Sequence, residues 1–484
     1  MNAYLTSSLK LLNTARQYGH YAFLFSIPLI ASCAFQTYTA KPIHPEIVAQ
    51  NFALKSPNDT NFKAFLQNKG YQNLTFPIQH WDLNTLIDCA LFFHPSLNQA
   101  RESWKAAQAS EKLASKKPLP TVNAGIGHSN QANDDINPFA YHFSIDIPIE
   151  TQNKREIQIE SFAHLSNVAK LEVAQTAWNL RHQVTQAWVD LFWQQSQRSL
   201  QTQEVALRQE IVDMIEKRVQ FGLASNIDLS QAKLQYLASK TQLQTLEKNK
   251  LPLIAKLANH LGLPLSAVSE MQFNFDALAT LNSQVTAMPE IQAAALLNRL
   301  DVRIALERYA VAEAKLKLEV AKQYPDISIS PSYAYEFGDK IWALGFSSLL
   351  NMLEKNSAAI QQAAQLREVE VAQFERLQAN VIAEAQLNQA NLIQTQQQIE
   401  SATVQFKEQQ HGLRQTSAQL NAGEADRLAL VMAKLAVLTA EKDLEHARYQ
   451  RIISMVQLEN SLQLPLMTEN LNTSTQVSST LLTQ

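Results

Sequence analysis

The most constraining feature of the sequence is an internal repeat with one large period. The segment Leu-Gly-Leu-Pro at 261–264 returns as Leu-Gln-Leu-Pro at 462–465, an offset of 201 residues. Other positions share this offset: Gly222 and Gly423, Leu229 and Leu430, Ala232 and Ala433, Leu234 and Leu435, and Val219 and Leu420. Self-similarity at a constant offset predicts two homologous halves, so each structural element should occur twice.

Each half contains two segments in which apolar and small or polar residues alternate, the period that is typical of β-strands. In the second half, for example, Trp342, Leu344 and Phe346 alternate with Ala343, Gly345 and Ser347. The pattern predicts four strands, each with an apolar and a small polar face, near Pro120–Asn130, Ala140–Ile149, Asp326–Phe337 and Lys340–Leu349.

Each strand pair is followed by a very long segment without proline and with apolar residues at helical spacing. These segments, Asn153–Phe221 and Lys355–Leu420, predict helices of roughly 100 Å at 1.5 Å per residue. Return helices are predicted at Ile227–Leu261, where Pro252 should kink or break the helix near Lys250, and at Arg427–Leu462.

The return helices are only about half as long as their partners. Helical segments before the strands, Leu86–Ser115 and Glu290–Gln323, supply the missing length if each stacks end to end with a return helix. The first repeat is thus predicted at 86–264 and the second at 289–466, with a linker at 265–288.

The N-terminus has the layout of a secretory signal peptide, because Lys10 and Arg16 precede an apolar run that ends at Ala31. Ile30-Ala31-Ser32-Cys33 is similar to a bacterial lipobox, which predicts cleavage of residues 1–32 and acylation of Cys33; an ordinary signal cleavage nearby is the alternative. Residues 33–85 are then a lipidated tether, and the Ser- and Thr-rich tail 467–484 is predicted to be disordered.

Composition argues against several function classes. The formal net charge is −3, or −5 after loss of residues 1–32, so the chain lacks a basic field for nucleic acid. Its two cysteines and scattered histidines give no metal-ligand spacing, and no motif for catalysis or a cofactor stands out. No stretch is apolar for the 18 or more residues that a spanning helix needs, so a membrane crossing would have to use strands.

Two strands per half are too few to close a barrel, and an isolated hairpin is only marginally stable. We therefore expect an α+β membrane protein in which three copies complete a twelve-stranded barrel. Polar helix faces would line a second tunnel below it. A rod-like coiled coil and a water-soluble sandwich are the alternatives for the helices and the strands, respectively.

This layout resembles the outer-membrane factor family, the TolC-type ducts of tripartite efflux systems. The resemblance rests on the duplicated unit, on the Leu-x-Leu-Pro ends, and on two hairpin tips, 221–229 (Phe-Gly-Leu-Ala-Ser-Asn-Ile-Asp-Leu) and 423–426 (Gly-Glu-Ala-Asp). It implies a homotrimer in the outer membrane that extends into the periplasm. The partners it implies are a periplasmic adaptor and an inner-membrane transporter, and the duct itself performs no chemistry.

The resemblance also implies roles for residues near the tips. Candidates for adaptor contact are Gly222, Leu223, Ala224, Gly423, Glu424 and Ala425; candidates for a pore gate are Arg218, Asp228, Asp426 and Arg427. Structural explanations compete with these roles, because both glycines suit helix C-caps and Ser225 with Asp228 has capping-box spacing.

Within the family, three segments look most similar to the CzcC-like heavy-metal cation branch: Arg299–Arg303, Tyr324–Ile327 and Trp342–Phe346. Leu300 departs from that pattern, where proline is usual. Drug efflux, a type I protein secretion duct and a non-pore periplasmic scaffold remain open as alternatives.

Overall fold

The computed structural model describes residues 36–71, 74–130, 137–279, 296, 298–348 and 355–466. Cys33, the signal peptide and the tail after residue 466 lie outside these residues, as does the linker from residue 280 onward. The chain divides after Ala53 into two units, and the first of these contains a single described helix, α1 (Pro45–Ala53).

The second unit contains all the other elements. In chain order they are α2 (Thr60–Asn68), β1 (His80–Trp81), α3 (Leu83–Phe93), α4 (Pro95–Ala114), β2 (Thr121–His128), β3 (Phe139–Ile149), α5 (Lys154–Gln220), α6 (Asn226–Leu261), α7 (Leu265–Ser269), β4 (Gln272–Phe273), α8 (Asp276–Ala279), α9 (Leu300–Ala321), β5 (Ile327–Glu336), β6 (Asp339–Ser348), α10 (Ser357–Asn421) and α11 (Arg427–Leu462).

The predicted strand pairs and helical hairpins are confirmed. Helix α5 has 67 residues and α10 has 65, and each is followed by a return helix of 36 residues. Each long helix also begins in the same way, after two successive residues with left-handed backbone: Gln152 and Asn153 in the first half, Lys355 and Asn356 in the second. The same backbone geometry thus precedes both long helices.

Two helix predictions need correction. The segment Leu86–Ser115 forms two helices instead of one, because His94 is extended and caps α4, whose first residue is Pro95. Of the kink or break predicted at Pro252, the break is wrong, since α6 runs through this residue to Leu261. Proline has no N–H for the carbonyl of Lys248, and because Lys248 and Pro252 are both exposed, that carbonyl can be hydrated.

The strands form one antiparallel sheet in the order β2-β3-β5-β6. Its register pairs Phe143 with both Ala124 and Tyr333, and Tyr333 with Trp342, which places the apolar residues of all four strands on one face. Strands β2 and β6 are the two edges and do not pair with each other in the described structure. The sheet is therefore open.

The short helices meet the ends of the return helices, as predicted. Lys55 Nζ donates hydrogen bonds to Phe93 O at 2.9 Å and Gly262 O at 3.4 Å, at the junction of α3, α4 and α6. In the second half, the backbone N–H of Leu300, the first residue of α9, donates to Gln463 Oε1 at the end of α11 at 2.6 Å. Each long helix is thereby accompanied along both of its halves.

The largest core cluster lies around the first of these junctions, where α3 and the end of α6 pack against the middle of α5. Trp188, Leu257 and Leu261 are fully buried there. Phe62, Leu66 and Trp81 belong to the same cluster. Part of the stretch predicted as a tether, from Thr60 onward, is therefore core, because its apolar residues cover the helix junction.

The helices of the second unit pack in a definite order. α6 and α4 pack against α5, α5 also contacts α9 and α11, and these two contact α10. Among the described residues, no helix is both long and apolar enough to cross a membrane.

Candidate functional site

The first hairpin tip connects α5 to α6 and is apolar. The backbone N–H of Leu223 donates to Arg218 O at 2.7 Å and Gly222 has φ of +70°, the pattern of a Schellman C-cap. Three large side chains project into solvent around this turn: Phe221 is 79% exposed, Leu223 76% and Ile227 77%. Phe221 and Ile227 were missed as contact candidates, although both flank the turn in the sequence.

The second tip connects α10 to α11 with the same backbone but different side chains. Glu424 N–H donates to Gln419 O at 2.8 Å, and Gly423 has φ of +78°. Both predicted glycine C-caps are therefore confirmed. The turn itself, 422–426, is Ala-Gly-Glu-Ala-Asp and has no large apolar residue. The two tips thus present chemically different surfaces.

The four gate candidates differ in the residues with which they pair. Arg218 Nη2 and Asp426 Oδ2 are 2.5 Å apart, an ion pair that joins the first hairpin to the start of α11. Arg427 instead pairs with Glu210 at 3.3 Å, a partner that sequence reasoning missed. Asp228 closes the predicted capping box with Ser225 and pairs with no basic residue in the described structure. Only Arg218 and Asp426 are brought together.

Local hydrogen bonds stabilise the charged form of both aspartates. The backbone N–H of Ala429, followed by the Arg218 guanidinium, lowers the pKa of Asp426 below its ordinary value. The backbone N–H of Ser225 lowers the pKa of Asp228. Both carboxylates are therefore ionised at neutral pH. Of the two, only Asp426 forms a salt bridge among the described residues, with Arg218.

A second polar cluster joins the hairpins above the tips. Lys442 of α11 donates to Gln201 Oε1 of α5 at 2.7 Å and also forms an ion pair with Glu204. Arg208 donates to Glu204 at 2.5 Å. Burial alone would raise the pKa of Glu204, but hydrogen bonds from Lys442 and Arg208 hold it below its ordinary value. Salt bridges thus connect α5 with α11 and its N-cap both at the tips and further along the helices.

The apolar face of the sheet is open to its surroundings. Trp342 is 81% exposed and Ile126 79%, and the ring centroids of Tyr333 and Trp342 are 4.7 Å apart. The opposite face carries small and polar side chains such as Ser332, Ser347 and Asn123. An exposed patch of aromatic and aliphatic residues is typical of a surface that contacts another protein or a membrane.

Apolar residues are also exposed on the helices at both flanks of the second unit. On α6, Leu234 is 67% exposed and Leu251 56%; on α10, Leu387 and Val404 are each 61% exposed. No group of three His, Cys, Asp or Glu side chains in the described part of the chain is arranged to hold a metal ion.

Comparison with known proteins gives consistent similarities. The sequence model of the family described as outer membrane efflux protein matches residues 86–263. The pyoverdine export outer membrane protein OpmQ of Pseudomonas aeruginosa is 21% identical over 266 residues, 52% of this chain. The match spans about half of that relative, 55% of its length.

Solved structures share the fold over a larger part of the chain. The outer-membrane channel OprN superposes with a TM-score of 0.65 at 18% identity, covering 80% of this chain and 91% of OprN. CusC, whose structures were described in terms of folding and transmembrane channel formation, has a TM-score of 0.63 at 18% identity and covers 89% of this chain and 99% of its own.

Proposed function

Because the chain belongs to the outer-membrane factor family, we propose that it is the outer-membrane duct of a tripartite efflux system. The observation that carries the proposal is the four-stranded sheet, which has open edges, one exposed apolar face and one polar face, and which continues into two helical hairpins. In this proposal the duct is passive, and an inner-membrane transporter supplies the energy.

The assembly is a homotrimer. An open sheet has unpaired backbone groups along β2 and β6, and three copies placed β6 to β2 satisfy all of them in a closed cylinder of twelve strands. The same rotation brings α10 of one copy towards α6 of the next, so that the exposed apolar residues of both helices, such as Val404 on α10 and Leu234 on α6, lie at the interface between copies. The apolar sheet face contacts lipid and the polar face surrounds water.

The long helices form the periplasmic tunnel. A helix of 67 residues extends about 100 Å, so the tips lie far from the membrane, where they meet a periplasmic adaptor. Gly222, Leu223, Ala224, Gly423, Glu424 and Ala425 are the proposed contacts. Arg218 and Asp426 hold the closed state as one ion pair, and Asp228 and Arg427 are the other gate candidates.

Two further features belong to this proposal. Residues 1–32 are a signal peptide and Cys33 carries a lipid that anchors the chain to the outer membrane, as the sequence Ile30-Ala31-Ser32-Cys33 indicates. The cargo is a metal cation, as the similarity to the CzcC-like branch suggests, with drugs as the alternative. Mass spectrometry of the mature N-terminus tests the first, and a panel of metals and drugs on a deletion strain tests the second.

Conductance tests the central claim. Purified full-length protein, added to a planar lipid bilayer, is expected to give discrete ion currents and to behave as a trimer in light scattering. Protein that folds but gives no current, as expected of a scaffold, would contradict the proposal.

A matched pair of variants tests which sheet face contacts lipid. Phe346 and Ser347 are neighbours on opposite faces of β6. Phe346→Lys places a charge in lipid, at a cost of about 2–4 kcal/mol near the midplane. It should reduce the yield in the outer-membrane fraction strongly, whereas Ser347→Lys should be tolerated. The reverse result would mean that the two faces have been assigned the wrong way round.

A further inference from the structure

The short helices α4 and α9 occupy corresponding places in the two halves of the chain. Their N-caps, His94 and Arg299, are 205 residues apart, and this offset continues along both helices and into the strands that follow. A constant offset means that the two helices can be compared residue by residue. Identical residues at this offset include Ala100 and Ala305, Glu102 and Glu307, Ala107 and Ala312, Lys112 and Lys317, Leu113 and Leu318, and Pro120 and Pro325.

One face of α9 is buried, whereas the corresponding face of α4 is exposed. On α9 this face packs against α5, where Ile304 shares a core cluster with Leu171 and Trp178. The protein thus covers this face in its second half and leaves it uncovered in its first. The buried residues of α9 and their exposed counterparts on α4 are Ile304 and Gln99, Val311 and Ala106, and Ala314 and Ala109.

Polar side chains also connect α5 to this face of α9. Two of the α9 residues involved, Glu307 and Lys317, correspond to Glu102 and Lys112 of α4. The exposed face of α4 therefore keeps one acidic and one basic position of the contact. The three contacts between α5 and α9 are His164 Nδ1 with Glu307 Oε2 at 2.6 Å, Lys317 Nζ with Glu160 Oε1 at 2.8 Å, and Arg308 Nη2 with Glu172 Oε1 at 3.1 Å.

The long helix α10 corresponds to α5 at the offset of 201 residues. On this offset α10 begins two residues later, in keeping with its 65 residues against 67. At the three positions from which α5 contacts α9, α10 has exposed glutamines, Gln361, Gln365 and Gln373. The buried positions of the two long helices that coincide at this offset are Leu180 and Val381, Val184 and Ala385, Trp188 and Gln389, Leu191 and Leu392, Gln194 and Thr395, and Gln201 and Ala402.

We propose that this face of α10 binds α4 of a second copy of the chain, in the register that α5 and α9 show within one chain. Gln365 then lies against Glu102 of the next copy, and Gln361 lies against Lys112 of the next copy. A glutamine amide can donate to the carboxylate and accept from the ammonium group. The inference rests on the proposed function, because a surface that fits a different surface of an identical chain closes into a ring such as the homotrimer.

The partner is a second copy because α4 and α10 are the two flanks of one row of helices. α4 packs against α5, α5 against α9, and α9 against α10. Each flank exposes an apolar residue whose counterpart inside the row is more buried. Leu113 is 68% exposed where Leu318 is partly buried, and Val369 is 49% exposed where Val168 is only 8% exposed. Each flank thus repeats one side of an internal contact, and the opposite flank of an identical chain supplies the other side.

The test places charges of either sign at two positions that are four residues apart on α10. Purified full-length protein is incubated at increasing SDS concentrations, and the fraction of trimer is measured by size-exclusion chromatography. Gln365→Arg should keep the trimer intact at higher SDS than Gln365→Glu, because Glu102 attracts arginine. Gln361→Glu should keep it intact at higher SDS than Gln361→Lys, because Lys112 reverses the preferred sign. Each exposed pair should change the association constant by up to about fivefold, and a trimer contains three such pairs.

Two controls separate this contact from a general effect of charge. In a Glu102→Gln background, Gln365→Arg and Gln365→Glu should dissociate alike, because the charge that distinguishes them is absent. Asn380 of α10 is exposed, and so is its counterpart Asn179 of α5, which has helices on both sides. Asn380→Arg and Asn380→Glu should therefore also dissociate alike.

The outcomes distinguish the inference from the proposed function. The same preferred sign at Gln361 and Gln365, or a difference at Gln365 that persists with Glu102→Gln, overturns the inference, because α10 then meets another surface. Wild-type protein that is not a trimer contradicts the proposed function itself. Because all the substituted side chains are exposed in the single chain, the helical content measured by circular dichroism should be unchanged in every variant.

Discussion

Gly262, the C-cap of α6, lies directly against the backbone of His94, the N-cap of α4. A Cβ on Gly262 would be 2.7 Å from His94 Cα and 2.9 Å from Phe93 O, and the glycine has φ of +70°. The two helices can stack end to end only because this residue has no side chain. The contact is thus what allows α4 and α6 together to accompany α5.

We predict that Gly262→Ala lowers the melting temperature more than Gly222→Ala does. Both glycines have φ of +70°, but nothing lies within 4 Å of a Cβ on Gly222. Gly222→Ala should therefore cost only the left-handed strain, about 1–2 kcal/mol. Gly262→Ala adds a displacement of the His94 backbone, about 1–3 kcal/mol by analogy with overpacked cores. Differential scanning fluorimetry at one fixed heating rate compares the melting temperatures of the two variants. Equal decreases would contradict the prediction, because they would mean that the His94 backbone moves aside at little cost.

The Arg218–Asp426 pair leads to a prediction about gating. Asp426→Asn removes the charge but keeps an oxygen that can cap α11, and Arg218→Gln removes the other charge. A partly exposed pair contributes up to about 1 kcal/mol, which corresponds to about a fivefold change in an open–closed equilibrium. Each variant should raise the open probability in bilayers by up to that factor.

The double variant and a matched aspartate provide the controls. Arg218→Gln with Asp426→Asn should have no more effect than either change alone, because both remove the same interaction. Asp213→Asn alters an exposed aspartate of α5 that accepts from Gln209 Nε2 at 2.7 Å and has no salt-bridge partner among the described residues, and it should leave the open probability unchanged. Additive effects of the two single changes would mean that Arg218 and Asp426 do not act through one shared ion pair.

Much of the fold could be predicted from the sequence because the chain is periodic. The alternation around Trp342 and Phe346 located β6 to within a residue or so, and Gly222 and Gly423 located the ends of both long helices. The helix break at His94 was missed, although Pro95 suits the first turn of a new helix.

The interactions between the hairpins could not be predicted in the same way. Glu210 and Arg427 are 217 residues apart, and whether they meet depends on how α5 and α11 are rotated about their axes. The helical period of a sequence predicts which face of a helix is buried, but it does not predict which helix packs against that face. Phe62 and Leu66 were assigned to a tether for a related reason, since their short helix is stabilised by a distant junction and has little pattern of its own.

The asymmetry of the tips gives a prediction about adaptor binding. Leu223→Ser removes an exposed apolar side chain from the first tip, and burial of such a side chain is worth about 1.5–3 kcal/mol. The variant should fail to restore export in a deletion strain, measured as growth on an inhibitory cargo. Its conductance in bilayers should be normal, because the residue lies at a turn and contributes little to the fold.

Leu223→Met is the matched control. It keeps a large apolar side chain at the same exposed position of the first tip, so it should still restore export. If Leu223→Ser restores export as well as Leu223→Met does, the apolar side chain at this tip does not carry the contact.

Three histidines around the helix junctions give the protein a pH dependence of known sign. Burial, reinforced in part by neighbouring positive charges, lowers the pKa of His94 and His260 below the ordinary value, and burial also lowers that of His182 despite Glu459 and Glu384. Below about pH 6.5 the unfolded chain therefore binds more protons than the folded one, so the free energy of unfolding falls as the pH falls. Between pH 7.5 and 5.5 the melting temperature should decrease, and Glu204 and Asp426, whose pKa values are lowered, stay ionised throughout this window.

His94→Asn isolates one of these histidines. Asparagine still provides an N-cap acceptor for the N–H of Ser96, which His94 Nδ1 now accepts at 3.3 Å, but it does not titrate. The variant should show a smaller decrease in melting temperature between pH 7.5 and 5.5 than the wild-type protein. His411→Asn, at an exposed position on α10, should show the full decrease. If the two variants respond alike, the pH dependence comes from elsewhere in the chain, because of the two substituted histidines His94 alone lies at the junction that joins α4 to α6.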